Sequence, residues 1–65
     1  MPNATGLDLK VERVRASLTV TAVAARMGLS RQSVHGIERA MRPDPERVRQ
    51  YREAVTALSD GTVAA

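Results

Sequence analysis

The sequence predicts an all-α domain of four to five short helices packed into one compact unit. Two observations carry this. Apolar residues recur at spacings of three and four from Leu7 to Leu58, the period of a helix face, and no stretch alternates apolar with polar as a strand would. Turn and breaker residues divide that pattern, at Gly28-Leu29-Ser30, at Pro43-Asp44-Pro45 and at Ser59-Asp60-Gly61. The expected organisation is a flexible arm over 1–6, a helical domain over 7–58 and a frayed tail over 59–65.

Asp8 is the expected N-cap of the first helix, which runs to about Ala16 and turns Leu7, Val11, Val14 and Leu18 inward at 4-3-4 spacing. Thr19 caps the second helix, whose stripe is Val20, Val23, Ala24 and Met27. Ala24 permits close approach of the next helix, and a larger side chain there would push that helix away. Gly28 ends the second helix, because glycine tolerates the left-handed conformation of a C-terminal cap. Ser30 caps the third helix, with Val34, Ile37 and Met41 on its inner face. Gly36 lies mid-helix, where it either permits a close approach or lowers local stability. Asp44 as cap and Pro45 at the first position open a fourth helix, with Val48, Tyr51, Val55 and Leu58 facing the core. The expected core is Val11, Val14, Leu18, Val23, Ala24, Met27, Leu29, Val34, Ile37, Val48, Tyr51, Val55 and Leu58.

The stretch Val20 to Arg39 therefore reads as two short helices joined by a tight turn, with Leu29 plugging their junction. This is a helix-turn-helix, whose second helix characteristically enters the DNA major groove. Composition agrees. Ten basic residues, nine of them arginine, face seven acidic ones for a net charge of +3. Arginine suits forked contacts to phosphate and guanine. The absence of cysteine and the single histidine exclude thiolate and zinc sites, so no metal or cofactor is expected. One tyrosine as the only aromatic residue argues against a stacking platform for single strands. Apolar runs are far too short to span a bilayer, and no leader pattern opens the chain, so a cytoplasmic location is expected.

The run Val23-Ala24-Ala25-Arg26-Met27-Gly28-Leu29-Ser30-Arg31, then Val34, then Ile37-Glu38-Arg39, with Pro43 before a further helix, resembles the Cro and repressor family of helix-turn-helix proteins. That family is also called lambda-repressor-like or XRE. The resemblance spans roughly residues 9 to 58 and implies a four- to five-helix lambda-repressor-like fold. It also implies a DNA-binding regulator without catalytic residues, a Cro-like repressor of phage or small bacterial type. The recognition helix is then the third. Arg31, Gln32, Ser33 and His35 face base edges, with His35 or Arg39 taking over part of the task of a longer residue at Gly36. Thr19, Ser30, Arg39 and Arg42 contact phosphates. Glu38 resembles a glutamate that pairs with an arginine on the first helix, which makes it structural together with Gly28 and Ala24. Arg15 is the matching arginine. The link between the first two helices is about two residues shorter than in the family, which leaves Arg13 as the alternative. Val20 stands where the family has a phosphate-binding glutamine, so Thr19 or Thr21 must supply that contact.

Other readings have less support. A serine hydrolase built on Ser33 and His35 fails, because residues two apart on a helix diverge. Arg47, Arg49 and Arg52 read as a solvated face of the fourth helix, Tyr51 as core with its hydroxyl at the rim, and Met27 and Met41 as core and rim fillers. The functional alternative is a protein-binding adaptor or antitoxin-like module working through the fourth helix or the tail; a DNA bender is a weaker one. The expected partner is double-stranded operator DNA, with paired half-sites about 34 Å apart. The chain is expected as a monomer or weak homodimer in solution, self-associating through the fourth helix or the tail.

Overall fold

The computed structural model describes residues 4–64, and side chains through Asp60. It contains α1 (Gly6–Arg15), α2 (Val20–Met27), α3 (Arg31–Arg39) and α4 (Pro45–Ala64), with no strand among the described residues. α1 packs on α3 and α4, and α2 packs on the same two helices. The fold class is thus the predicted one, with four helices.

Local chemistry accounts for most boundaries. Thr19 Oγ1 accepts from the Ala22 amide at 3.1 Å and opens α2. Gly28, at φ +72°, closes that helix in the left-handed conformation and places Leu29 so that its amide donates to the Ala24 carbonyl at 2.9 Å. Ser30 Oγ accepts from the Ser33 amide at 3.1 Å and opens α3. Asp44 Oδ1 accepts from the Glu46 amide at 3.2 Å at the start of α4.

α1 differs from expectation at its start. Thr5, not Asp8, is the N-cap. Asp8 occupies the third helical position and completes a capping box, its Oδ2 accepting from the Thr5 amide at 2.9 Å while its own amide donates to Thr5 Oγ1 at 3.2 Å. Residues 1–3 of the expected flexible arm lie outside the described residues. Ala4 and Thr5 are half-buried and Gly6 is buried, so the inner part of that arm belongs to the fold. The expected end of α4 near Leu58 is also corrected. The helix runs on to Ala64, because one glycine costs a propagating helix only about 1 kcal/mol.

The core holds Leu9, Val23, Ala24, Val34, Tyr51 and Ala54, with Leu18, Met27, Leu29, Ile37, Val48, Val55 and Leu58 among the half-buried residues around it. Two expected core residues are exposed: Val11 at 40 % and Val14 at 57 %, on a stripe with Leu7 at 63 %. α1 carries two candidate inner faces. Leu7, Val11 and Val14 form the more apolar one; Gly6, Leu9 and Arg13 form the other, which turns inward. A buried carboxylate on α3 requires a cation opposite it, and Arg13 supplies it; Leu9, one turn earlier, is buried as a consequence. Met41, expected as a rim filler on the α3 stripe, is 81 % exposed, since α3 ends at Arg39.

Candidate nucleic-acid interface

α3 is anchored by its back. Val34 is fully buried, Ile37 is half-buried, and Glu38 is 8 % exposed. The opposite face is free: Arg31, Gln32, Ser33, His35, Gly36 and Arg39 are all exposed. At 3.6 residues per turn Gln32, Gly36 and Arg39 fall on one line, with Arg31 and His35 on the next.

The anchor is a three-helix polar lock. Arg13 on α1 donates from Nε to Glu38 Oε2 at 2.8 Å and from Nη2 to Oε1 at 3.4 Å. Its Nη1 donates to the Leu18 carbonyl at 2.9 Å, which ties in the α1–α2 link. The Tyr51 hydroxyl on α4 donates a short hydrogen bond to Glu38 Oε2. Arg13, not Arg15, is therefore the partner of Glu38; Arg15 is exposed, on the far side of α1 from Arg13. The Tyr51 hydroxyl is buried, not at the rim. Burial pushes the Glu38 carboxyl up, but the hydrogen bonds from Arg13 and Tyr51, with the Arg13 charge, outweigh it and hold the group below its ordinary value. Burial first, then the bond to Glu38, pushes the Tyr51 phenol far above its ordinary range. No buried side-chain nitrogen or oxygen among the described residues lacks a partner. The sequence signal for the tyrosine was available: a buried carboxylate needs more than one donor, and Tyr51 is the only aromatic residue, on an inward stripe.

The residues expected to contact DNA divide by their hydroxyl chemistry. Ser30 Oγ both accepts from the Ser33 amide and donates to Ser33 Oγ at 3.0 Å, so its proton is already committed. Thr19 Oγ1 is used as an acceptor in its cap, which leaves its proton free to donate outward. Arg31, Arg39 and Arg42 form no ion pair among the described residues. From Thr19 to Arg42 the only acidic residue is Glu38, which is buried and paired. On α4, Arg49 pairs with Glu46, and Arg52 pairs with Glu12 at 2.8 Å. Arg47 differs from both: it bonds to Gln50 and lines an open groove with Ser33, Gly36, Ile37, Arg42 and the acidic Asp44. Composition could not separate these three arginines, because their pairing depends on which acids the packing brings near.

A Cβ on Gly36 would meet nothing within 4 Å, so nothing in the fold requires glycine there. Gly36→Ala is expected to stabilise the domain by up to about 1 kcal/mol through helix propensity. A thermal melt should show a rise of roughly 4–8 °C per kcal/mol; an unchanged or lower midpoint would mean that the glycine has a packing role.

The described residues contain no cluster of histidine or acidic side chains able to hold a metal, and no helix long and apolar enough to cross a membrane. No characterised relative and no solved structure matches the chain. A helix-turn-helix family model matches residues 9–55, from the buried Leu9 to Val55 on α4. That span contains every member of the polar lock and the whole exposed face of α3. The chain therefore belongs to the XRE, or lambda-repressor-like, family of helix-turn-helix proteins, a family of DNA-binding, non-catalytic domains.

Proposed function

We propose that this protein is a Cro-like transcriptional repressor that reads a specific double-stranded operator with α3 in the major groove. The observation that carries the reading is the division of α3. Its back is immobilised by Val34 and the Glu38 lock, and its front offers Arg31, Gln32, Ser33, His35 and Arg39 to solvent. Such a helix presents forked donors and amides on a rigid element, as base recognition requires. Arg31 suits guanine and Gln32 suits adenine, and Ser33 and His35 serve as further base contacts. Arg39, Arg42 and Thr19 contact phosphates, Ser30 less directly, and Arg47 extends the phosphate track from the groove it shares with Arg42. Repression follows by occupying the operator and excluding polymerase. The site of action is the cytoplasm, on the nucleoid when bound.

Selection of bound sites from a random duplex pool tests the proposal, and the winners should share a motif. With about three or four phosphate contacts, affinity should fall on the order of a hundredfold between ~50 and ~200 mM salt. Arg31→Ala should relax preference at one base pair by about 1–3 kcal/mol, whereas Arg42→Ala should weaken all duplexes alike. No enriched motif, and binding indifferent to Arg31→Ala, would refute the recognition-helix reading and leave the protein-binding alternative.

A further inference from the structure

The apolar stripe that sequence alone placed in the core lies on the outside of α1. Among the described residues the large exposed apolar side chains are Leu7, Val11, Val14 and Met41, and the first three share one helix face. Asp8 and Arg15 are exposed on one flank of that stripe, seven residues and two turns apart. Arg15 takes no part in the Glu38 lock and forms no ion pair among the described residues, and Asp8 uses Oδ2 in its capping box.

We propose that this face of α1 is a self-association surface, occupied by α1 of a second copy running antiparallel about a two-fold axis near Val11. The flanking charges decide the occupant. In an antiparallel pair related by a two-fold axis, like flanks face each other. Asp8 of each copy then faces Arg15 of the other, forming two identical ion pairs, while Leu7 meets Val14 and Val11 meets its own equivalent. A parallel two-fold pair would set this flank against the Lys10 flank instead and form neither Asp8–Arg15 pair. Lys10, on the other flank, faces its equivalent and opposes the contact. The stripe is far smaller than the roughly 800 Å² per partner of a stable dimer. The contact is therefore weak in free solution and becomes populated where two copies are held side by side on neighbouring half-sites. None of the residues involved belongs to the exposed face of α3.

The native chain has no cysteine, so Val11→Cys introduces a single thiol at the two-fold axis. Under mild oxidation its disulfide dimer should form at least tenfold faster than that of Glu53→Cys, an exposed control on α4. Adding Val14→Asp should abolish the difference. Arg15→Glu should slow cross-linking, because it sets two carboxylates face to face, and Arg15→Lys should not. Arg15→Glu lowers the net charge of +3 by two units, so general repulsion alone predicts faster cross-linking. Equal rates for the two thiols, or faster dimer formation by Arg15→Glu, would overturn the proposal. A second arm rests on the DNA-binding reading. Val14→Asp should leave single half-site affinity intact and reduce occupancy of a paired site about tenfold. Failure of the native chain to bind any duplex refutes that reading alone, and the cross-linking rates still decide the α1 contact.

Discussion

Glu38→Ala should remove a large share of the protein's stability at neutral pH. The substitution removes the shared acceptor of Arg13 and Tyr51 and leaves a guanidinium and a phenol inside the three-helix junction. Breaking a buried pair by deleting one partner costs about 3–5 kcal/mol. A domain of this size holds on the order of 3–10 kcal/mol in total. Glu38→Gln is the variant to measure, since the amide oxygen still accepts while the charge is lost. It should unfold in urea at a clearly lower midpoint with an unchanged slope. The pH dependence follows from the direction of the shifts. The Glu38 carboxyl is held below its ordinary value of 4.5 in the fold, so its contribution is present above that value and is lost as pH falls through the lower folded value. The Tyr51 phenol is raised from 10.0, so its contribution is present below pH 10 and is lost as pH rises beyond it. Glu38→Gln should flatten the acid limb of the stability profile. An acid limb identical in native protein and variant would show that other carboxylates govern acid unfolding.

Gly6→Ala should destabilise by about 2–4 kcal/mol, although the same change at Gly36 stabilises. A Cβ on Gly6 would lie 2.3 Å from the Ile37 carbonyl oxygen and 2.6 Å from the Glu38 carbonyl carbon and oxygen. These are backbone atoms at the end of α3, so no side-chain rotation relieves the contact. The Gly6 amide also donates to the Ala40 carbonyl at 2.8 Å, a bond that a displaced α1 would lose. Helix propensity predicts the opposite sign, so the experiment separates the two causes cleanly. Urea unfolding of Gly6→Ala, Gly36→Ala and the double variant measures both. The double variant reads the coupling between them, since a Cβ on Gly6 presses on the carbonyl of Ile37, the chain neighbour of Gly36. A Gly6→Ala midpoint at or above that of the native chain would mean that α1 does not pass this close to α3.

Much of the arrangement was legible from residues alone where a local rule decides it. Thr19, Gly28, Ser30 and Asp44 each satisfy or end a helix with their own side chain or backbone, so their positions bound α2 and the starts of α3 and α4 without reference to the rest of the chain. The exposure of Arg31, Gln32, Ser33 and His35 follows from the same logic, once Ser30 opens α3 and Val34 faces inward. The helix-turn-helix and its outward face are thus written in short-range spacing.

The orientation of α1 was not. Its more apolar stripe, Leu7, Val11 and Val14, is the one left outside, and Leu9 with Arg13 is the one buried. Hydrophobic periodicity counts apolar side chains on a face. It does not register that a carboxylate buried on another helix needs a guanidinium opposite it, or that a glycine must pass over a backbone carbonyl. Glu38 and Gly6 impose those conditions from residues distant in sequence, and satisfying a buried charge outweighs covering one leucine and two valines. Spacing and capping determined which segments are helices and which face of α3 is free, because those preferences act within a few residues. Only the tertiary structure decided which face of α1 turns inward and that Arg13, not Arg15, completes the lock, because burial of charge is settled where helices meet.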